Sequence, residues 1–345
     1  MGARAITLTD VASRANVSRT AAAKVLLGTG GDHVRVGDDA RQRIEEAAEA
    51  LHYHPNRAAQ QLRGVNTQMV GVLMDTLNAP VMNDRLAAVE REAYQRGYRL
   101  LIGQLHGDLA ALRDYLADFN SRGVDAILCL FDVTHGRVER LKPILGERAG
   151  IVMHAKPLEQ DGYCVRVDTA GAITTLIEHL LDSGRQRIGL QLEGVPDELM
   201  TVRKDAYLAA MAASGRSPDP SLIWTARSET VDPTAETIRE TIDNLIEKEK
   251  VDAIVAPNDV WAAHLIQGLK ARGYDVPGDV AVTGYDNLDL ATIIDPPLTT
   301  IDQQHHLYAA AALDLLTAIA SRTAEPPPGD RTIVVEPKLI VRSSA

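Results

Sequence analysis

From Met69 onward, short apolar runs alternate with amphipathic stretches, and no other feature limits the fold as tightly. The runs are MVGVLM (69–74), YRLLIG (98–103), DAILCLF (125–131), AGIVMH (149–154), QRIGLQL (186–192), DAIVAP (252–257) and DVAVTGY (279–285). A strand with one wet face would alternate polar and apolar residues; near-continuous apolar runs fit strands covered on both faces. Between them lie helical patterns. From Ala170, for example, Ile173, Leu176, Ile177, Leu180 and Leu181 form one apolar stripe. Such alternation predicts parallel sheets sandwiched by helices. At roughly 150 residues per domain, 345 residues allow about two domains, so two lobes are expected rather than one very wide sheet. Ligands in these folds sit beyond the carboxyl ends of the strands, which places the expected site between the lobes. After Arg322, a linker with Pro326, Pro327 and Pro328 leads to two more short strand-like runs, RTIVVE and KLIVR.

The first 64 residues read differently, as short helices. Thr7 can cap a helix, with Asp10 three residues on as its capping-box partner, and Val11, Ala12 and Ala15 form the apolar stripe. Asn16 breaks it, because Asn tolerates the left-handed backbone of a tight turn. Ser18 caps a second helix whose inner face is Ala21, Ala22, Val25 and Leu26. A third helix starts at Asp38 or Asp39, turns Ile44, Ala47, Ala48 and Leu51 inward, and stops at Pro55. Two short helices joined by a tight turn match the helix-turn-helix, whose second helix enters the major groove of DNA. On that helix Arg19, Thr20, Ala23 and Lys24 fall away from the apolar face, where Arg can fork onto guanine and Lys can reach guanine or phosphate. Ser18 and the free N–H groups beside it can bind a phosphate. Charge agrees. Residues 1–64 hold nine Lys/Arg against seven Asp/Glu, whereas the whole chain is at −11, so the body is repelled by phosphate and the head is not.

TLTDVASRANVS and YHPNRAAQQLRG (53–64) resemble the head and hinge motifs of the lac-repressor (LacI/GalR) family of transcription regulators. The body resembles it too, at VDTAGA (167–172), IVAPND (254–259) and VPGDVAVTGYDNLDLATIIDPPLTTIDQ (276–303). The resemblance implies an α + α/β chain: a three-helix helix-turn-helix head (1–55), a hinge helix (56–64), and a two-lobed periplasmic-binding-protein-like core (65–345) that binds an effector and dimerises. It further implies a homodimer on a palindromic operator in double-stranded DNA, with repression the commoner outcome. In the hinge it makes Leu62 the apolar wedge that unstacks a base step in the minor groove, accompanied by Asn56, Arg57, Ala59 and Gln60. Eight residues are too short for a stable lone helix, so this segment is expected to order only against DNA and a partner copy.

In the effector pocket the resemblance carries over to Asn78, Arg203, Asn258 with Asp259, Asp286 and Gln303. Polyol ligands need paired donors and acceptors, which Asp, Asn and Arg supply. The family's aromatic residues after the first strand are replaced here by Asn78-Ala79-Pro80-Val81. Ring stacking must come from elsewhere, and Trp261, two residues beyond Asp259, is the candidate. His154 ends its strand at the same cleft edge. The loop from Leu27 to Val36 is a few residues longer than is usual in the family.

Other classes find little support. No apolar stretch of about 20 residues is present to span a membrane. The N-terminus MGARAITLTDVASRA has no apolar signal core, which with two cysteines, Cys129 and Cys164, fits a cytoplasmic chain without a disulfide framework. No phosphate-binding G-x-x-x-x-G-K, no G-x-S-x-G and no H-E-x-x-H occurs, and the His52–His54 and His305-His306 spacings are wrong for a metal site. No cofactor, metal or catalysis is expected. The rivals are a sugar-binding transport protein, which would share the two-lobed core, and an α/β enzyme.

Overall fold

The local chemistry of the head is visible in its caps. Thr7 precedes helix α1 (Leu8–Arg14): its backbone N–H and its hydroxyl donate to Asp10 Oδ2 at 2.8 and 2.6 Å, and Asp10 N–H returns a bond to Thr7 Oγ1 at 3.4 Å. The turn passes through Asn16 at φ 51. Ser18 Oγ then accepts from Ala21 N–H at 3.1 Å and starts α2 (Arg19–Leu27), which ends on Gly28 at φ 64. A third helix, α3 (Asp38–Ala50), closes a small core of Leu8, Val11, Ala12, Ala15, Ala22, Ile44, Ala47 and Ala48. On α2 only Ala22 is fully inside; Val25 and Leu26 pack partly against it. The head is therefore small-residue packed, and Arg43 Nε reinforces it by donating to the Ala15 carbonyl at the turn, at 3.3 Å.

This computed structural model describes residues 6–29, 34–53, 66–75, 80–131, 137–145, 150–159, 161–194, 198–226, 232–321 and 331–345. The chain divides into two units, Met1–Thr67 and Gln68–Ala345. Pro55, the hinge residues Asn56, Arg57, Ala59, Gln60 and Leu62, the pocket residue Asn78 and the prolines at 326–328 lie outside the described residues.

The second unit holds two lobes. The first is a parallel six-stranded sheet, in the order β11-β5-β4-β3-β1-β2. Its strands are β1 (Met69–Met74), β2 (Arg99–Gln104), β3 (Ala126–Leu130), β4 (Ile151–His154), β5 (Tyr163–Val167) and β11 (Thr332–Val335). Side chains of a strand alternate between faces, and both faces are covered. Val70, Val72 and Met74 pack with α4 (Pro80–Gln95) and α12 (His305–Ser321). Leu73, Ile127 and Cys129 pack on the other side with α5 (Leu109–Ser121) and α6 (Arg137–Leu145). That is why the sequence runs are apolar throughout. Gly71 belongs to the same logic: a Cβ there would lie 2.5 Å from the Phe119 ring, so its bareness makes room for that side chain.

The second lobe has the parallel order β7-β6-β8-β9, from β6 (Ile188–Leu192), β7 (Ile223–Thr225), β8 (Ala253–Val255) and β9 (Ala281–Thr283). Helices α7 (Thr169–Asp182) and α8 (Glu198–Ala213) cover one face; α9 (Ala235–Thr241), α10 (Asp259–Ala271) and the short α11 (Leu290–Ile293) cover the other. A two-stranded antiparallel ribbon joins β10 (Thr300–Asp302) to β12 (Lys338–Ile340). The chain thus crosses between lobes three times: after β5, between β10 and α12, and between β11 and β12. The two runs at the end, RTIVVE and KLIVR, do form strands, but in different sheets. Strands β5, β7 and β10 are additional to the apolar runs of the sequence.

Candidate functional site

A cavity of about 370 Å³ opens between the lobes, at the carboxyl ends of β4 and β5. The first lobe lines it with His154, the last residue of β4, with Lys156 just after, and with Arg166 and Val167 of β5. The second lobe contributes Thr169 at the start of α7, Arg203 from α8 and Tyr285 beyond β9. Gln303 comes from the crossover between β10 and α12.

Behind this wall a buried polar chain links the lobes. Arg85 on α4, only 2% exposed, has Nη1 2.9 Å from His154 Nε2 and donates through Nη2 to Gln303 Oε1 at 2.5 Å. Gln303 Nε2 donates in turn to Asp286 Oδ1 at 2.5 Å. An arginine can only donate, so His154 Nε2 accepts and Nδ1 carries the ring proton, 3.1 Å from the Tyr308 hydroxyl. Arg85 also lies over the Tyr308 ring, 4.8 Å from its centre, and Arg203 over that of Tyr285, at 4.4 Å. Arg203 donates to the Pro257 carbonyl.

The charges follow from burial. Loss of solvent and the Arg85 guanidinium hold His154 well below the usual imidazole range, so it is neutral at pH 7. The same two causes push His305 down to about 4. Burial, then the neighbouring Asp259, push Asp286 up to about 8. Asp259 itself is pushed up to about 7 by burial, against the bonds it accepts from Thr300 Oγ1 at 2.5 Å and from Leu288 N–H at 2.7 Å.

Of the expected pocket residues, His154, Arg203 and Gln303 line the cavity. Asp286 stands one bond behind, through Gln303. Two expectations are corrected. Trp261 is fully buried among Leu265, Ile266, Leu269 and Leu298 in the core of the second lobe, where it cannot stack on a ligand. Asn258 is the N-cap of α10: Oδ1 accepts from Trp261 N–H at 3.0 Å and Nδ2 donates to Glu193 at 2.9 Å, so both ends of the amide are engaged away from the cavity. Tyr285, Lys156, Arg166 and Arg85 are site residues that the sequence reading missed. For Arg85 a signal existed. It precedes Val89 by four residues and Ala93 by eight, which puts a cation on the buried stripe of α4.

In the head, Ser18, Arg19 and Thr20 are exposed at the start of α2, and Lys24 is half-buried one turn on. The Thr7 hydroxyl is engaged in the capping box. No group of three or more His, Cys, Asp or Glu among the described residues is arranged to hold a metal ion, and no helix among them is long and apolar enough to cross a membrane.

A helix-turn-helix head and a two-lobed core with a cavity lined by charged side chains, carried on one chain, define the class of ligand-responsive DNA-binding regulators. Comparison with known proteins agrees. Residues 7–56 match the model of bacterial regulatory proteins of the lacI family, and residues 177–345 match a periplasmic binding protein-like domain. The transcriptional repressor PurR of Mannheimia succiniciproducens is 26% identical over 340 residues, 98% of each chain. Among solved structures, a lac repressor dimer bound to operator and the anti-inducer ONPF superposes with a TM-score of 0.81 at 20% identity, over 99% of both chains. A complex of the regulator CelR with cellobiose gives 0.68 at 25% identity, over 99% of this chain and 100% of that one. The chain belongs to the LacI family of transcriptional regulators.

Proposed function

We propose that this protein represses transcription in the cytoplasm by binding a palindromic operator as a homodimer, without enzymatic activity, and that a small polar molecule in the interlobe cavity sets its affinity for DNA. The observation that carries the reading is the interlobe cavity, lined from the first lobe by His154, Lys156 and Arg166 and from the second by Arg203, on the same chain as a capped, exposed reading helix. A ligand there touches both lobes, so it favours one lobe angle over another. In a dimer that angle sets the spacing of the two heads. The lac repressor dimer holds operator and CelR holds cellobiose in the corresponding fold. The division of labour is head 1–55, hinge 56–64 and core 65–345.

On DNA, Arg19 reads a base, Ser18, Thr20, Lys24 and Thr7 touch the backbone or its neighbours, and Asn56, Arg57, Ala59, Gln60 and Leu62 act in the minor groove. In the core Arg203, His154 and Gln303 contact ligand, with Asp286 and Asn78 supporting them. The test is a gel shift on genomic fragments, followed by Arg19→Ala on the fragment selected. Arg19→Ala costs about 1–3 kcal/mol on that fragment and relaxes preference at one base pair. Equal weakening on every sequence would make Arg19 a phosphate contact, and failure to select any fragment would end the regulatory reading.

A further inference from the structure

We infer that the ligand of the cavity is a small organic anion, whose carboxylate or phosphate group is held by Arg203, Lys156 and Arg166. The inference rests on the effector reading above and names the chemistry of that effector. Three bases reach the cavity from three different places: Lys156 after β4, Arg166 on β5 and Arg203 on α8. Among the described residues one carboxylate lines it, Asp168, and that group is turned over the first turn of α7, where Oδ1 accepts from Gly171 N–H at 3.0 Å. Thr169 and Ala170, the first residues of that fourteen-residue helix, also line the wall, so the positive end of its dipole faces the cavity.

Buried charge points the same way. Arg203 is 5% exposed, forms no ion pair with a described carboxylate, and its Nε has no hydrogen-bond partner. Arg85, just behind the wall, is likewise bonded to neutral groups, His154 and Gln303. The acid at the end of that chain, Asp286, is driven toward its neutral form by burial and so balances neither guanidinium fully at pH 7. Two buried cations short of counter-charge are costly, and an anionic ligand supplies what they lack through charge-assisted hydrogen bonds. A neutral polyol fits less well, because the amide and carboxyl expected to serve it do not line the cavity: Asn258 caps α10 and Asp286 lies behind Gln303.

The experiment titrates the full-length protein with inorganic phosphate, citrate and gluconate, and with glucose and ribose, at matched ionic strength, by thermal shift and calorimetry. The expected result is a saturable rise in melting temperature with an anion and none with glucose or ribose. Phosphate against citrate and gluconate separates the two anionic groups. The double variant Lys156→Gln/Arg166→Gln changes two exposed side chains, so the core folds as before. It weakens the anion's dissociation constant by about tenfold or more, the equivalent of at least one lost charge-assisted hydrogen bond. Three results each overturn the inference: no saturable response to any anion, an anion response unchanged in the double variant, or saturable binding of glucose or ribose alone. Operator binding, read separately by gel shift, keeps the two readings apart. A protein that selects an operator but binds no anion loses only this inference, and one that binds anions but selects no DNA loses only the regulatory reading.

Discussion

Asp286 carries two unusual conditions at once: a backbone at φ 111, where side chains are rarely found, and a carboxyl on a buried residue. Strain of this kind survives where surrounding structure over-determines it. Here the Asp286 N–H donates to the Ile301 carbonyl at 2.8 Å and its carboxyl is fixed by Gln303. Burial raises its folded pKa from 3.8 to about 8, with Asp259 adding like charge. The linkage has a definite sign. Below about pH 4 both the folded and unfolded states hold the proton and the contribution to stability is complete; it is lost as pH rises through about 8. Asp286→Asn keeps the shape, tolerates positive φ and still accepts from Gln303, but cannot ionise. Its melting temperature relative to wild type is therefore expected to climb from pH 5 to pH 8 and then level off. A difference that stays flat across that range would mean an Asp286 with an ordinary carboxyl pKa in the folded protein. Trp261 teaches the opposite lesson at this scale. Its spacing with Leu265 and Leu269 already placed it on the apolar stripe of α10, and that pattern outweighs its closeness in sequence to Asn258.

At the scale of elements, β1 shows how tightly a doubly covered strand is specified. Its inward residues leave no slack at Gly71, where a Cβ would sit 2.5 Å from two atoms of the buried Phe119 ring. Gly71→Ala is expected to destabilise the core by about 1–3 kcal/mol through overpacking. Gly71→Ala/Phe119→Leu should recover part of that loss. Urea unfolding with an unchanged m value measures both; an unshifted midpoint for the single variant would show that the ring can step aside. The elements legible in the sequence were those whose signals are local. Thr7, Asn16 and Ser18 mark the head's caps and turn within three or four residues, and MVGVLM is β1 from end to end. Strands β7 (IWT) and β10 (TID) are short and end on polar residues, whereas the equally short β8 and β9 sit inside longer apolar runs, and β5 carries the polar Arg166 among its apolar residues. The cavity was half legible for a similar reason. Arg203 and Gln303 stood out through motifs, whereas the bond between Arg85 and Gln303 spans 218 positions and belongs to the tertiary fold alone.

For the whole molecule, the decisive question is how a ligand between the lobes can bias anything outside the cavity. A ligand shifts an equilibrium only by its differential affinity for two states, and the element that distinguishes them must join both lobes. The chain from His154 through Arg85 and Gln303 to Asp286 does so: it starts on the first lobe, passes through a crossover and ends on the second. Arg85 does not line the cavity, so it can be changed without removing a ligand contact. Arg85→Met keeps much of the side-chain length on the buried stripe of α4, while leaving Gln303 and His154 without their donor. Some stability is lost, on the order of 1–3 kcal/mol for polar groups left unsatisfied, and circular dichroism melts report it. Operator affinity without ligand should change by less than about threefold, which is under 1 kcal/mol. The ratio of operator affinities with and without effector, however, should move close to one, because the bonded link that tells one lobe angle from another is gone. By reciprocity the effector's own affinity should then become insensitive to operator. Fluorescence anisotropy on operator DNA, at saturating and at zero effector, measures the ratio for both proteins. A ratio in Arg85→Met equal to that of wild type would show that the lobes are coupled by the crossovers alone and that the buried chain serves only to hold the core together.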